Sequence, residues 1–441
     1  MTHIVMTPFS AALSLALRLE DNQKDYDALM AMVPNKRFVL LGESTHGTRE
    51  FYRMRADITR RLITEAGFDS VAVEGDWPDV WRVNRYVQGE SGDDALSALG
   101  DFERFPLWMW RNQEVLSFIT WLRAYNANLP MASRVGVYGL DLYSLYRSAD
   151  AVIHYLDQVD PTEAAVARER YAALDHVREP QAYGYQAALG QRPVARDEVI
   201  AQLLSLRAHA QAHVERNGLA AQDAYFFAER NAAVVVQAES YYRAMFGRRV
   251  NTWNLRDTHM RDTLFALSAY RRRRDGSGRV AVWAHNSHLG DARATEMHHR
   301  GELNLGQLLR QELGEQVLLV GFTTYAGQVA AASEWGGEVE LKRVRPALRG
   351  SYEHLFRTTD LDRFFLPLKG PPAEHLKEPL LERAIGVIYL PQTERASHYF
   401  DASLSGQFDA VFHLDETDAV LPLDAPSHWR PAPLLSPVRL T

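Results

Sequence analysis

An α/β fold with a mainly parallel central sheet, helices on both faces and a helical insertion is predicted for this chain, and two features carry that prediction. Seven short runs rich in Val, Ile and Leu are apolar throughout instead of alternating with polar residues, the pattern of strands buried on both faces. Amphipathic segments separate the early runs, and strand–helix alternation favours parallel pairing beneath helices on both faces.

In chain order the runs cover residues 37–41, 70–73, 134–138, 279–283, 316–321, 384–389 and 408–413. Residues 48–66 and 80–88 are amphipathic and are expected to be the helices that follow the first two strands. The stretch at about 161–274 differs. It is rich in Ala, Arg and Glu with helical spacing over 194–216, 220–245 and 254–270, and breaks at 180–193, Asn217-Gly218 and 247–252. It reads as a helical insertion or lid between strands. With no internal repeat and no low-complexity linker, residues 1–441 are expected to form one α/β unit carrying it.

The composition is 46% hydrophobic and 24% charged, the balance of a globular chain with a large core. Lys+Arg number 49 against 56 Asp+Glu, a formal charge of −7, so a nucleic-acid partner, which needs a basic footprint, is not expected. The one basic run, Arg271 to Arg274, complements the negative end of a predicted helix and reads as a solvated last turn. Cysteine is absent, which removes disulfides, thiolate metal sites and cysteine nucleophiles together. The N-terminal apolar stretch lacks a basic segment before it and a clear cleavage site after it. No run approaches the ~20 apolar residues that span a bilayer, so a cytoplasmic protein without a membrane partner is expected.

Ligands of open parallel sheets bind beyond the carboxyl ends of the strands. The first end gives Gly42-Glu43-Ser44-Thr45-His46-Gly47-Thr48 and the second Glu74-Gly75-Asp76-Trp77. The third gives Gly139-Leu140-Asp141 and the fourth Ala284-His285-Asn286-Ser287-His288. One such polar residue is ordinarily a loop hydrogen-bonder; four successive ends bearing imidazoles and carboxylates point to a site. Along the first helix Phe51, Arg55, Ile58 and Leu62 share one face, which puts a guanidinium on the apolar, inward stripe. Arg55 is expected either to hold a buried ion pair or to reach Glu43 or Glu74 and stabilise negative charge on a substrate. Trp77, Trp108 and Trp110 are candidates for an aromatic wall that grips a large apolar substrate, or else packing aromatics beneath a loop. Arg256 and His259 share a helix face at spacing three, and are read as a surface ion pair and a solvated imidazole in preference to groups that close the site from the helical part.

Residues 42–48 nearly spell a phosphate-binding loop, but the lysine is missing and Glu43 places a negative charge inside it. No Gly-x-Ser-x-Gly elbow and no His-Glu-x-x-His helix occurs, so a serine nucleophile is not supported. Metal ligation stays open, because His46, His285, His288, Glu43 and Glu74 are all zinc-type ligands.

These residues stand in longer segments that resemble the erythromycin esterase family. The segments are Leu41-Gly42-Glu43-Ser44-Thr45-His46-Gly47-Thr48-Arg49-Glu50-Phe51, Val73-Glu74-Gly75-Asp76-Trp77-Pro78 and Trp283-Ala284-His285-Asn286-Ser287-His288. Further matches are Phe105-Pro106-Leu107-Trp108-Met109-Trp110-Arg111-Asn112, Asn254-Leu255-Arg256-Asp257 and Ser397-His398-Tyr399-Phe400-Asp401, over about 38–416 in all. The resemblance implies an α/β core with a helical part walling a deep cleft. It further implies a hydrolase that opens a macrolide-type lactone with an activated water and no required metal. The family's functional residues fall on Glu43, His46, Arg55, Glu74, His285 and His288 here, with His46 as general base. The expected reaction is hydrolysis of a small-molecule carboxylic ester or lactone without a cofactor. Water loses its proton to His46, oriented by Glu43 or Glu74, while Arg55 with His285 or His288 stabilises the oxyanion and protonates the leaving alkoxide. Two alternatives remain: a metal-dependent hydrolase using a divalent ion in the same cluster, and a non-catalytic binder of haem or another small molecule.

Overall fold

The computed structural model describes residues 13–425 and 429, apart from 175–178, 192–193, 211–217, 248–249 and 275. The expected break at Asn217 and most of the N-terminal stretch read for a targeting signal lie outside the described residues.

The strands are β1 (Leu17–Arg18), β2 (Phe38–Leu41), β3 (Ser70–Asp76), β4 (Gly136–Asp141), β5 (Val280–Trp283) and β6 (Val317–Ala331). They continue with β7 (Glu340–Val344), β8 (Arg363–Pro367), β9 (Leu380–Arg383), β10 (Tyr399–Ala402) and β11 (Ala410–Thr417). Six pair in parallel in the spatial order β11-β6-β2-β5-β3-β4. Antiparallel β8 and then β1 extend the β11 side, and β7 folds back on β6. Because both faces of the parallel strands are covered, successive side chains enter different cores. In β2, Val39 and Leu41 meet the helices Arg49–Ala66 and Gln113–Asn126, while Phe38 and Leu40 meet Thr252–Arg273 and Leu305–Leu313. That double burial is why these strands carry no polar alternation.

Four expectations are corrected. Residues 384–389 are not a strand: they make only single bridges, Ile385 to Thr45 and Ile388 to Ala332. Their apolar character reflects burial of Ile385 and Tyr389 where the segment passes over the sheet, not sheet pairing. The third strand is displaced from 134–138 to Gly136–Asp141, because Arg134 turns its guanidinium to the carbonyls of Gln88 and Leu129 instead of entering the sheet. β6 runs on to Ala331, since from Gly327 it exchanges its parallel partner for antiparallel β7. The basic run is only half solvated. Arg271 donates to the Arg134 carbonyl and lies 3.6 Å from Asp69, and Arg274 pairs with Asp223, both buried.

The helices Leu145–Val159, Pro161–Tyr171, Pro180–Ala188, Arg196–Ala208 and Gly218–Met245 share a core of their own. Thr252–Arg273 leaves that group and packs on the sheet through Met260, Leu264 and Leu267. Its first turn projects beyond the carboxyl ends of the strands, so the helical stretch reaches the cleft through its last helix. Among the described residues no helix is long and apolar enough to cross a membrane.

Candidate active site

The register of the sheet assembles the site. Leu41 lies beside Trp283, Trp283 beside Val73, and Val73 beside Gly139. The residues that follow, Gly42-Glu43, Ala284-His285, Glu74 and Leu140-Asp141, therefore emerge at one level on one edge. The loop bearing His46 threads between two crowded neighbours. A Cβ at Gly42 would meet Asn286 Oδ1 at 2.1 Å, and one at Gly47 the Ala330 carbonyl oxygen at 2.0 Å, so both positions need the bare backbone.

Two relays run from the core to a shared carboxylate. In the first, His46 Nδ1 is 3.0 Å from Glu43 Oε1, and Glu43 Oε2 is 2.6 Å from Arg55. Glu43 and Arg55 are fully buried, and the guanidinium stacks over Tyr52 and Trp283 at 4.4 and 5.3 Å. The Tyr52 hydroxyl also donates to the His46 carbonyl at 2.9 Å, fixing the loop. A proton on Nδ1 directed at Glu43 leaves Nε2 as the acceptor facing the cleft, 4.0 Å from Glu74 Oε1. The expectation that Arg55 touches substrate charge is corrected here: neither it nor Glu43 lines the cleft. Arg55 instead neutralises Glu43 and holds it on His46, which makes it a positioning residue.

The second relay was missed by the sequence reading. Arg256, expected on the surface, donates to both oxygens of Asp141 at 2.9 and 2.6 Å and to Glu74 Oε1 at 2.8 Å. It also sits 2.9 Å from His288 Nε2, while His288 Nδ1 lies 2.9 and 3.0 Å from the two oxygens of Asp257. Trp253 stacks on the His288 ring at 4.4 Å. The signal was available. Arg256, Met260, Leu264 and Leu267 form the same inward stripe that singled out Arg55. His259 is likewise buried rather than solvated. Burial, with Arg230 nearby, pushes it down to about 4, so it is a neutral core imidazole.

Charge in the cluster is set by these partners. Burial alone would raise the Glu74 carboxyl, but His288, Arg256, His46 and the His285 backbone N–H, at 2.8 Å, hold it well below the usual carboxylate range. Burial and then His46 push His285 down to about 3, so its ring is neutral. Its Nδ1 accepts from the Ser287 backbone at 3.2 Å, which leaves the hydrogen on Nε2. That Nε2 is buried and makes no hydrogen bond of ordinary geometry. Burial opposes a charge on His288, yet Asp257 and Glu74 prevail and raise its pKa. The approach of Arg256 to Nε2 suits the neutral ring with its hydrogen toward Asp257. A proton gained on Nε2 would turn to Glu74 Oε1, 3.5 Å away.

The opposing shifts fix a pH window. Glu74, depressed, contributes stability above the ~4.3 of a free glutamate and loses it as pH falls through its lowered value. His288, raised, contributes fully below the ~6.5 of a free imidazole and loses it as pH rises through its raised value. Asp257→Asn removes the principal raising influence. The titration of His288 is expected to move to lower pH, and imidazole NMR across pH on the two proteins checks it.

The cleft measures about 610 Å³ and is lined by His46, Glu74, His285 and His288 of the expected cluster. Of the expected aromatic wall, Trp110 lines it and donates to the Glu74 carbonyl at 3.0 Å. Trp77 and Trp108 do not. Trp77 is 1% exposed and packed against Trp81, Tyr138 and Phe226, and Trp108 is buried in the core that also holds Val115 and Phe118. Size and apolarity mark an aromatic for burial without saying which side of a loop it takes. Tyr143, Trp253, Phe105 and Trp335 are among the other aromatic residues that line it. Among the described residues no group of three His, Asp or Glu is arranged to hold a metal ion. A guanidinium, that of Arg256, occupies the centre of Glu74, Asp141 and His288.

A sequence model described as erythromycin esterase matches residues 63–417, beginning after the His46 loop. The chain is 23% identical over 430 residues to erythromycin esterase type II of Escherichia coli, covering 90% of this chain and 94% of that protein. It is 20% identical over 415 residues to the putative hydrolase YbfO of Bacillus subtilis strain 168, covering 89% and 86%. Among solved structures, a succinoglycan biosynthesis protein superposes with a TM-score of 0.76 at 23% identity, over 96% of this chain and all of that one. A mutant erythromycin esterase EreC in its open conformation gives 0.65 at 17% identity, over 90% and 94%.

Proposed function

We propose, from the premise that the chain belongs to the erythromycin esterase family and is thereby a hydrolase of the esterase type, that it cleaves a carboxylic ester or lactone with water activated by His46 and without a metal. The observation that carries this reading is the His46 relay. An imidazole whose Nδ1 is held by a buried, arginine-neutralised carboxylate presents a free Nε2 to the cleft. Such a nitrogen takes a proton from water, and the resulting imidazolium is stabilised by Glu43. The water oxygen attacks the ester carbonyl. The oxyanion that forms is met by the Arg256 guanidinium, which lines the cleft and is in place before the reaction. Collapse breaks the C–O bond to the alcohol and leaves a carboxylic acid; His288, when it carries a proton on Nε2 backed by Asp257, gives that proton to the leaving alkoxide and regains one from the carboxylic acid, while His46 releases its own to water. The products are a carboxylate and an alcohol.

The placement of Arg256 favours the metal-free reading over a metallohydrolase. It spends two donors on Asp141 and one on Glu74, the oxygen ligands that a divalent ion would require. A panel of aryl esters and lactones assayed with the purified protein tests the reaction class. Turnover of at least one ester, absent in heat-denatured protein, is expected; failure across the panel contradicts the proposal.

A further inference from the structure

We propose that Phe105 and Trp335 form an aromatic clamp at the mouth of the cleft that selects esters with a large apolar body, an inference that rests on the ester-hydrolase reading. Trp335 is 61% exposed, the most exposed large apolar side chain among the described residues. An indole left so open gains nothing from the core, and its face is available to whatever enters the cleft. It is not an isolated surface ring. Phe105, from a segment more than two hundred residues earlier in the chain, meets it edge to face, with centroids 5.1 Å apart at 63°, and both line the cleft.

The ring is mounted on the catalytic framework. Trp335 lies in the turn between β6 and β7, and Ala330 at the base of that turn donates its N–H to the Gly47 carbonyl at 3.1 Å, next to His46. The turn is pinned by Gly337 N–H to the Glu334 carbonyl, at 3.1 Å, and by the Ser333 hydroxyl to Glu340, at 2.6 Å. Trp335 is therefore held at a fixed position relative to the base. The cleft is polar at its floor, where Glu74, Asp141, Arg256 and the histidines converge, and its exposed rim carries the two rings beside the charged Arg104 and Arg300. At about 610 Å³ it falls within the ~300–1,000 Å³ of sites for drug-sized ligands and exceeds what a short ester fills. The shape suits an amphipathic ester, its carboxyl end on the floor and its apolar body between the two rings.

The test compares p-nitrophenyl acetate with p-nitrophenyl decanoate on the unsubstituted protein, Trp335→Ala, Trp335→Phe and Phe105→Ala. Loss of the indole face should raise KM for the decanoate about 10-fold more than for the acetate, with kcat for the two esters changing alike. Trp335→Phe should recover most of the discrimination. Equal effects on both esters, or a change confined to kcat, overturn the clamp. If neither ester is turned over, calorimetric binding of 1-naphthylacetate separates the two claims. Binding by the unsubstituted protein that is lost in Trp335→Ala upholds the clamp although the hydrolase reading has failed. Equal binding by both proteins, or none by either, overturns it.

Discussion

Replacing His46 by alanine is expected to lower kcat on any accepted ester by ~10²–10⁴, the usual contribution of a general base, with the fold intact. The fold should survive because the imidazole reaches the protein through one side-chain hydrogen bond, to Glu43, and otherwise faces the cleft. Glu43 keeps Arg55 as its partner, so no buried charge is left alone. Circular dichroism establishes the fold, and steady-state kinetics the loss. Retention of most of the activity would remove His46 from the role of base and with it the proposed attack.

The second large effect belongs to Arg55, and stability is where it appears first. Arg55→Ala leaves Glu43 buried without a counter-charge, a change that costs about 3–5 kcal/mol in comparable buried pairs. A marked fall in melting temperature is expected, checked by calorimetry. Because Arg55 acts through Glu43, the surviving folded fraction should also lose kcat, with KM little changed, as His46 loses its orientation. Arg55→Lys keeps the charge but not the planar fork that spans Tyr52 and Glu43, so it should restore part of the stability and less of the turnover. An Arg55→Ala protein as stable and as active as the unsubstituted one would show that the pair positions nothing.

The readable and unreadable parts of this molecule divide along physical lines. The parallel strands β2, β3, β5 and β6 could be located because burial on both faces removes their polar residues. The short β8 could not, because it begins with Arg363 and ends with Pro367, residues typical of a strand terminus or edge. The apolar segment 384–389 resembled a strand because burial, not pairing, governs its composition. His46, Glu74, His285 and His288 were found by one rule, that ligands gather beyond strand ends, since adjacent parallel strands bring those ends level. Arg256 and Asp257 obey no such rule. Arg256 meets Asp141 across 115 positions of chain, through a helix that returns to the sheet after the helical group. The inward stripe of that helix and the family-like segment Asn254-Leu255-Arg256-Asp257 were the hints to it. The same limit applied to the tryptophans, of which Trp110 reached the cleft while Trp77 turned into the core.

The account stands or falls on whether a side-chain base, not a metal, activates the water. The most direct measurement is turnover of an accepted ester by protein stripped with EDTA and shown by elemental analysis to carry no stoichiometric metal. Metal-bound catalysis collapses under that treatment and recovers when zinc or manganese is returned. The arrangement of Glu43, Arg55, His46 and Arg256 predicts undiminished kcat in the stripped protein and no gain on adding either ion. Loss of activity on stripping, with recovery on adding back one equivalent of metal, would contradict it.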